Sequence, residues 1–176
     1  DKVLVQTPVY YPFFRAVEEN GRQLLSNELR IADDRYIIDF EDFEKKMAQA
    51  RLFILCSPHN PVGRVWEMEE IHEMARIAAK YDVLVISDEI HCDFTYHKKH
   101  TIFSKAADLY QTRHLVALSA SKTFSLAGLG VASIVVKDPE LRESFKKQIR
   151  TDGVHTHSTF GFAAAEAAYT VCDDWY

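Results

Sequence analysis

Short apolar runs, each ended abruptly by a polar turn and separated from the next by amphipathic stretches, restrict the fold of this chain more than any other feature. The clearest is Val83-Leu-Val-Ile-Ser87, short, β-branched and continuously apolar up to its serine. A strand buried on both faces reads this way, and such strands belong to parallel sheets covered by helices. Six segments carry the strand signal: Lys2–Gln6, Gln23–Ser26, Leu52–Cys56, Val83–Ser87, His114–Leu118 and Ala132–Val136. Between most of them the pattern is helical. Asp39 reads as an N-cap before an acidic first turn, with Phe43 and Met47 on one face. Over Glu67–Tyr81, the residues Ile71, Met74, Ala75 and Ala78 form one stripe. Pro139–Arg150 and the alanine-rich, closely packable Ser158–Val171 read as two further helices. This alternation predicts an α/β fold, a mainly parallel sheet with helices on both faces. No repeat, low-complexity tract or linker divides the 176 residues, so one domain with a real core is expected.

Three of the runs end in residues with chemistry to offer. Leu52–Cys56 enters Ser57-Pro-His-Asn60-Pro-Val-Gly63, Val83–Ser87 enters Asp88-Glu89-Ile90-His91, and His114–Leu118 enters Ser119-Ala-Ser121-Lys122-Thr-Phe124. Open α/β sheets bind ligands beyond the carboxyl ends of their strands. Independent solvated turns would give no reason for Asn60, Asp88 and Lys122 to share that placement. Lys122, crowded by apolar chain and small hydroxyls, is expected to be desolvated, which favours the neutral and nucleophilic form of an amine. Ser119 and Ser121 can hold a phosphate through hydroxyl and backbone N–H donors. An amine beside a phosphate cup suits an aldehyde cofactor. Asp88 suits the ring nitrogen of that cofactor, because a charge-assisted bond keeps the proton there. Asn60, held by Pro58 and Pro61 with a tight exit at Gly63, can donate its amide to a phenolic oxygen. Each residue also has a plainer use: a lysine snorkelling from a strand end, an aspartate capping a helix, an asparagine bonded to its own turn.

Taken together, Ser57-Pro-His-Asn-Pro-Val-Gly-Arg-Val-Trp66, Ser87-Asp-Glu-Ile-His91 and Ser121-Lys-Thr-Phe124, in this order and spacing, resemble the fold-type I pyridoxal-phosphate enzymes. Within them the chain is similar to the cystathionine β-lyase/cystalysin type of C–S lyase, a branch of the class I/II aminotransferase family. Thr7-Pro-Val-Tyr-Tyr-Pro-Phe13 supports that branch, and the likeness covers essentially the whole chain. The resemblance implies pyridoxal 5'-phosphate as cofactor. It implies Lys122 as the lysine that bonds the cofactor aldehyde and later shuttles the Cα proton, Asp88 on the pyridine nitrogen, and Asn60 near the phenolic oxygen. Tyr10 matches the aromatic residue stacked on the ring, and Ser119 and Ser121 match positions near the phosphate. Two positions depart from the aspartate aminotransferase pattern. His91 stands where that pattern has a tyrosine on the phenolic oxygen, as it does in the C–S lyase branch. Gly130 stands where that pattern has an arginine on the phosphate, which leaves the composition of the cup open.

The resemblance implies β-elimination from cystathionine or cysteine, giving a thiol, pyruvate and ammonia; transamination uses the same apparatus and stays open. A third class, a metal-binding or structural module, rests on His91, Cys92, His97 and His100, whose spacing fits no zinc pattern and which Lys98 and Lys99 adjoin. His155 and His157 read as loop residues. The resemblance further implies that residues 1–176 are an incomplete large domain, without the glycine-rich N-terminal segment and the small C-terminal domain, inactive in isolation. It also implies a homodimer acting on a small amino acid. A net charge of −5 argues against a nucleic-acid partner, and Phe145–Arg150 reads as a solvated helix face. No apolar run reaches the length of a membrane span and no signal peptide opens the chain, so no membrane partner is expected. Cys56, Cys92 and Cys172 lie far apart with no C-x-x-C pair, which favours reduced thiols and a cytoplasmic setting.

Overall fold

In the computed structural model, which describes residues 1–154 and 158–175, the apolar runs become the strands of one sheet. The elements are β1 (Lys2–Thr7), α1 (Pro12–Glu19), β2 (Gln23–Glu28), β3 (Arg30–Ala32), β4 (Arg35–Ile37), α2 (Phe40–Met47), β5 (Leu52–Cys56), α3 (Met68–Lys80), β6 (Leu84–Asp88), α4 (Phe103–Tyr110), β7 (His114–Leu118), β8 (Ser133–Val135), α5 (Pro139–Thr151) and α6 (Thr159–Val171). The sheet order is β2-β1-β5-β6-β7-β8. All neighbours run parallel except β8, which closes the edge antiparallel to β7. From β1 the chain first steps outward to β2, then crosses to β5 on the other side and continues through β6 to β7. That reversal opens a crevice at the carboxyl ends of β1 and β5.

Alternating side chains explain the two-sided core. Leu4, Phe53, Leu55 and Val85 face one way and pack with Phe43, Met47, Ile71, Met74, Ala75, Ala78 and Phe103 from α2, α3 and α4. Val3, Val5, Ile54 and Cys56 face the other way, against Phe13, Phe14 and Val17 of α1. Helices therefore cover both faces. Burying each large apolar side chain of this kind is worth roughly 1.5–3 kcal/mol, which is why the continuous apolar runs had to become interior strands. Asp39 caps α2, its carboxylate accepting the Asp42 N–H at 3.1 Å. In α3 the Glu70 carboxylate accepts the Glu67 N–H at 2.7 Å.

Some elements have no clear sequence signature. The β3–β4 hairpin turns on Asp33 and Asp34, both with positive φ (49° and 57°). A hairpin turn of this kind is usually announced by Asn-Gly or Asp-Gly rather than Asp-Asp. Helix α4 is only eight residues long and ends on Gln111 in the left-handed region instead of on glycine. Helix α6 forms as expected but buries only Gly161 and Ala168 among its described residues. A Cβ at Gly161 would stand 2.9 Å from the Leu129 carbonyl oxygen, so α6 touches the segment beside β8 at backbone distance. His155 and His157 lie outside the described residues. Among the described residues, no helix is long and apolar enough to cross a membrane.

Candidate active site

Ladder register carries the site. Cys56, Asp88 and Ala117 stand side by side across β5, β6 and β7, so the three following turns leave the sheet at one level. The β6 end is pinned on both sides: the Ser57 N–H donates to the Asp88 carbonyl and the Glu89 N–H to the Ala117 carbonyl, each at 2.9 Å. The turns enclose a cleft of about 280 Å³, to which Tyr10, Asn60, Asp88, His91, Ser119, Ser121 and Lys122 all contribute. Every position matched to the cofactor in the sequence thus lines one cleft.

The Asn60 turn is shaped by its neighbours. The His59 and Gly63 backbone groups close it (His59 N to Arg64 O 2.7 Å, Gly63 N to His59 O 2.8 Å), and Gly63 takes φ +71°. The buried His59 ring reaches the Pro8 carbonyl through Nε2 at 2.9 Å. That contact ties the turn bearing Asn60 to the segment bearing Tyr10. Trp66 Nε1 donates to the Cys56 carbonyl at 3.0 Å, and the Asn60 N–H donates to Cys56 Sγ at 3.3 Å. The Asn60 side-chain amide makes no hydrogen bond among the described residues, so it is not spent on its own turn.

Electrostatics differ from one wall to the next. Burial pushes the Asp88 carboxyl above the usual Asp range; the Ile90 N–H at 3.2 Å and the charge of His91 oppose that, Glu89 adds to it, and Lys122 opposes it. Burial lowers His91 below the usual histidine range, with Asp88 opposing and Lys122 assisting. His91 is therefore neutral at neutral pH and able to donate or accept at a ligand oxygen. Desolvation raises the Cys56 thiol on the cleft floor to about 12, which keeps it a protonated packing group.

Two expectations need correction. Lys122 is exposed, not desolvated. It sits four residues past the end of β7 in a turn at the cleft mouth, and the apolar side chains before it pack into the sheet rather than around its amine. Ser119 Oγ is already engaged, donating to the Val131 carbonyl at 2.6 Å and accepting the Ser121 N–H at 3.1 Å. An anion bound there must draw that hydrogen away from Val131. The Ser121 hydroxyl has no partner among the described residues.

Beyond the expected set, the cleft is lined by Cys56, Ile90 and the strip Gly130-Val-Ala132. The strand-end argument that picked out Asp88 applies equally to Cys56, its ladder neighbour. A second cavity of about 610 Å³ adjoins the cleft and shares Asn60 and His91 with it. Its cations are engaged: Glu67 pairs with Arg35 (3.1 Å) and Lys98 (2.5 Å), and Arg64 pairs with Glu70 (2.6 Å).

The sequence matches the family "Aminotransferase class I and II" over residues 1–171. The chain belongs to that family. Its relatives include cystathionine β-lyase PatB of Bacillus subtilis, 40% identical over 99% of this chain and 46% of the relative. Among solved structures, a pyridoxal-phosphate-bound aminotransferase candidate from Clostridium difficile superposes with a TM-score of 0.95 at 35% identity, covering 99% of this chain and 46% of that one. Cystalysin from Treponema denticola, which contains pyridoxal 5'-phosphate, gives a TM-score of 0.93 at 38% identity over 99% and 45%. The chain thus spans just under half the length of the relatives it matches. In this member of the aminotransferase class I and II family, the metal-like quartet is dispersed. His91 faces the cleft, Cys92 contacts Asp93 at 3.7 Å, and His100 Nε2 meets Glu89 Oε2 at 2.6 Å. Among the described residues, no three His, Cys, Asp or Glu side chains are grouped to hold a metal ion.

Glu89 is the fully buried carboxylate next to Asp88, and three donors satisfy it: Ser87 Oγ (2.8 Å), His100 Nε2 (2.6 Å) and the Phe103 N–H (3.0 Å). It joins the β6 end, the following loop and the start of α4. Glu89→Ala orphans all three donors and is expected to lower the free energy of unfolding by about 3–5 kcal/mol in urea titration. A loss below about 1 kcal/mol contradicts the role.

Proposed function

We propose that this chain is the cofactor-binding large domain of a pyridoxal-phosphate-dependent C–S β-lyase. The observation that carries the reading is the meeting of an amine, a desolvated carboxylate, an uncommitted amide and a neutral imidazole in one cleft at the carboxyl ends of parallel strands. The fit is good on chemical grounds. Asp88 is held in a desolvated position where a protonated ring nitrogen would satisfy it. Asn60 Nδ2 and the His91 imidazole are free to bond a phenolic oxygen. Tyr10, 41% exposed and edge-packed on Phe13, presents a ring to the cleft. Ser121 offers an unengaged hydroxyl to a phosphate, and Ser119 offers another once it releases Val131.

When bound, pyridoxal phosphate supplies an electron-withdrawing ring that stabilises negative charge at the substrate Cα. Asp88 would hold the proton on the ring nitrogen and so keep the ring electron-poor. Lys122 Nζ is the amine that would hold the aldehyde carbon, with loss of water, until a substrate amine takes its place; once freed, it would accept the Cα proton. Exposure of Lys122 at the cleft mouth leaves it free to move between these tasks. His91 orients the phenolic oxygen as a neutral group. The β-thiolate of a thioether or thiol amino acid then departs, leaving pyruvate and ammonia after hydrolysis.

PatB, the relative 40% identical to this chain, and histidine at position 91 favour the lyase over a transaminase. The same proposal takes the whole protein as a cytoplasmic homodimer acting on a small amino acid. The test supplies cystathionine to the whole protein with pyridoxal phosphate. Pyruvate and thiol should appear without any added keto acid. Amino transfer that depends on a keto acid, with no pyruvate from cystathionine, rejects the lyase in favour of an aminotransferase.

A further inference from the structure

Lys122 and Asp88 leave the sheet from different strands, and the backbone ladder between β6 and β7 ends at the Glu89 N–H to Ala117 O bond. Past that point something else must register the Lys122 turn against the Asp88 segment. A side-chain hydrogen bond joins them: Thr123 Oγ1 donates to Asp93 Oδ2 at 2.6 Å. Thr123 directly follows Lys122, and Asp93 lies two residues after His91. Thr123 is buried, and its carbonyl also accepts Trp175 Nε1 at 3.3 Å. The Asp93 end is equally fixed. Tight backbone bonds (Cys92 N to Glu89 O 2.9 Å, Phe94 N to His91 O 3.0 Å) hold its turn, and the far end of the loop is anchored where His100 meets buried Glu89. The loop is thus tied to both of the segments it has to align.

We propose that Thr123 and Asp93 form a positioning pair that sets the Lys122 amine in register with Asp88 and His91. The proposal rests on the cofactor reading above. Neither side chain lines the cleft, so the pair acts through Lys122 and His91 rather than on the reacting atoms. A hydroxyl donating to a carboxylate is a strong, directional bond. Lys122 has to bond an aldehyde carbon, with loss of water, and later reach the Cα proton. A displacement of about 1 Å at such a group can cost on the order of 100-fold in rate. Ligand affinity, carried by Asp88, Asn60, Tyr10 and the serines, should be far less sensitive.

The test compares native whole protein with Thr123→Val and Thr123→Ser, with pyridoxal phosphate as the probe. The measurements are the cofactor dissociation constant, the rate at which borohydride-fixable cofactor accumulates on Lys122, and kcat and KM separately. Thr123→Val should slow fixation and lower kcat by roughly 10- to 100-fold, with the dissociation constant and KM within about twofold of native. Thr123→Ser keeps the hydroxyl and should recover both rates. A role in general stability would instead weaken cofactor binding and leave the rates of the folded fraction intact. Native-like rates in Thr123→Val overturn the proposal, as do equal losses in the serine variant. Should Thr123→Val not fold, Asp93→Asn decides: kcat should fall several-fold at unchanged KM, and an unchanged kcat overturns the pair. If native protein itself fixes no cofactor on Lys122, the functional reading fails and this proposal fails with it. If native protein is labelled and active while the variants match it, only the pair fails.

Discussion

Lys122→Ala should lose the dialysis-resistant visible absorbance of the bound cofactor and reduce turnover by roughly a thousandfold or more, because the proposed mechanism assigns both the covalent and the proton-transfer work to one amine. The protein itself should be undisturbed. The Lys122 amine is exposed and makes no hydrogen bond or ion pair among the described residues, so its removal should leave the unfolding midpoint unchanged within measurement. That combination separates chemistry from folding. Borohydride treatment followed by peptide mass analysis should find the modified residue in native protein within Ser119–Phe124, and nowhere in the variant. A chromophore that survives dialysis in Lys122→Ala contradicts the assignment.

Asp88→Asn is expected to lower turnover by roughly 100-fold or more while making the cofactor-free protein more stable at neutral pH. Burial raises the Asp88 carboxyl, so the folded state takes up a proton more readily than the unfolded state. Its contribution to stability is full below the ordinary Asp value and is lost as pH rises through the raised folded value. An asparagine, never ionised, does not suffer that loss and can still accept the Ile90 N–H. The stability gain of the variant should therefore grow from about pH 4 upward and vanish below it. Thermal unfolding of cofactor-free protein across that range checks the sign, and kcat with cofactor checks the role. Native-like turnover in Asp88→Asn, or a variant less stable than native at neutral pH, would show that the carboxylate is not held for a ring nitrogen.

Both predictions depend on a placement that the primary structure announces. Asn60, Asp88 and Lys122 each follow an apolar run. In a parallel sheet all such runs point the same way, so their ends collect at one edge. The same reasoning extends to Cys56, whose position at a strand end was legible though its place on the cleft floor was not singled out. The surroundings of the site were less legible. Desolvation of Lys122 was inferred from its sequence neighbours, but His114, Leu115 and Val116 turn into the sheet and leave the amine at the mouth. The bond from Ser119 to Val131 spans twelve residues and that from Thr123 to Asp93 spans thirty. No local pattern encodes contacts of that separation.

The order of apolar runs and polar turns by itself determined the parallel sheet, the caps and stripes of α2 and α3, and which residues gather at the cleft. Those follow from burial and backbone hydrogen bonding, which act over a few neighbouring residues. Tertiary structure alone decided how exposed Lys122 is, which serine hydroxyl remains uncommitted, how buried Glu89 and half-buried Asp93 brace the loop after β6, and that a hairpin forms around Asp33 and Asp34. Each of these depends on which distant group reaches a given donor or acceptor first, and that is settled only when the whole chain has packed.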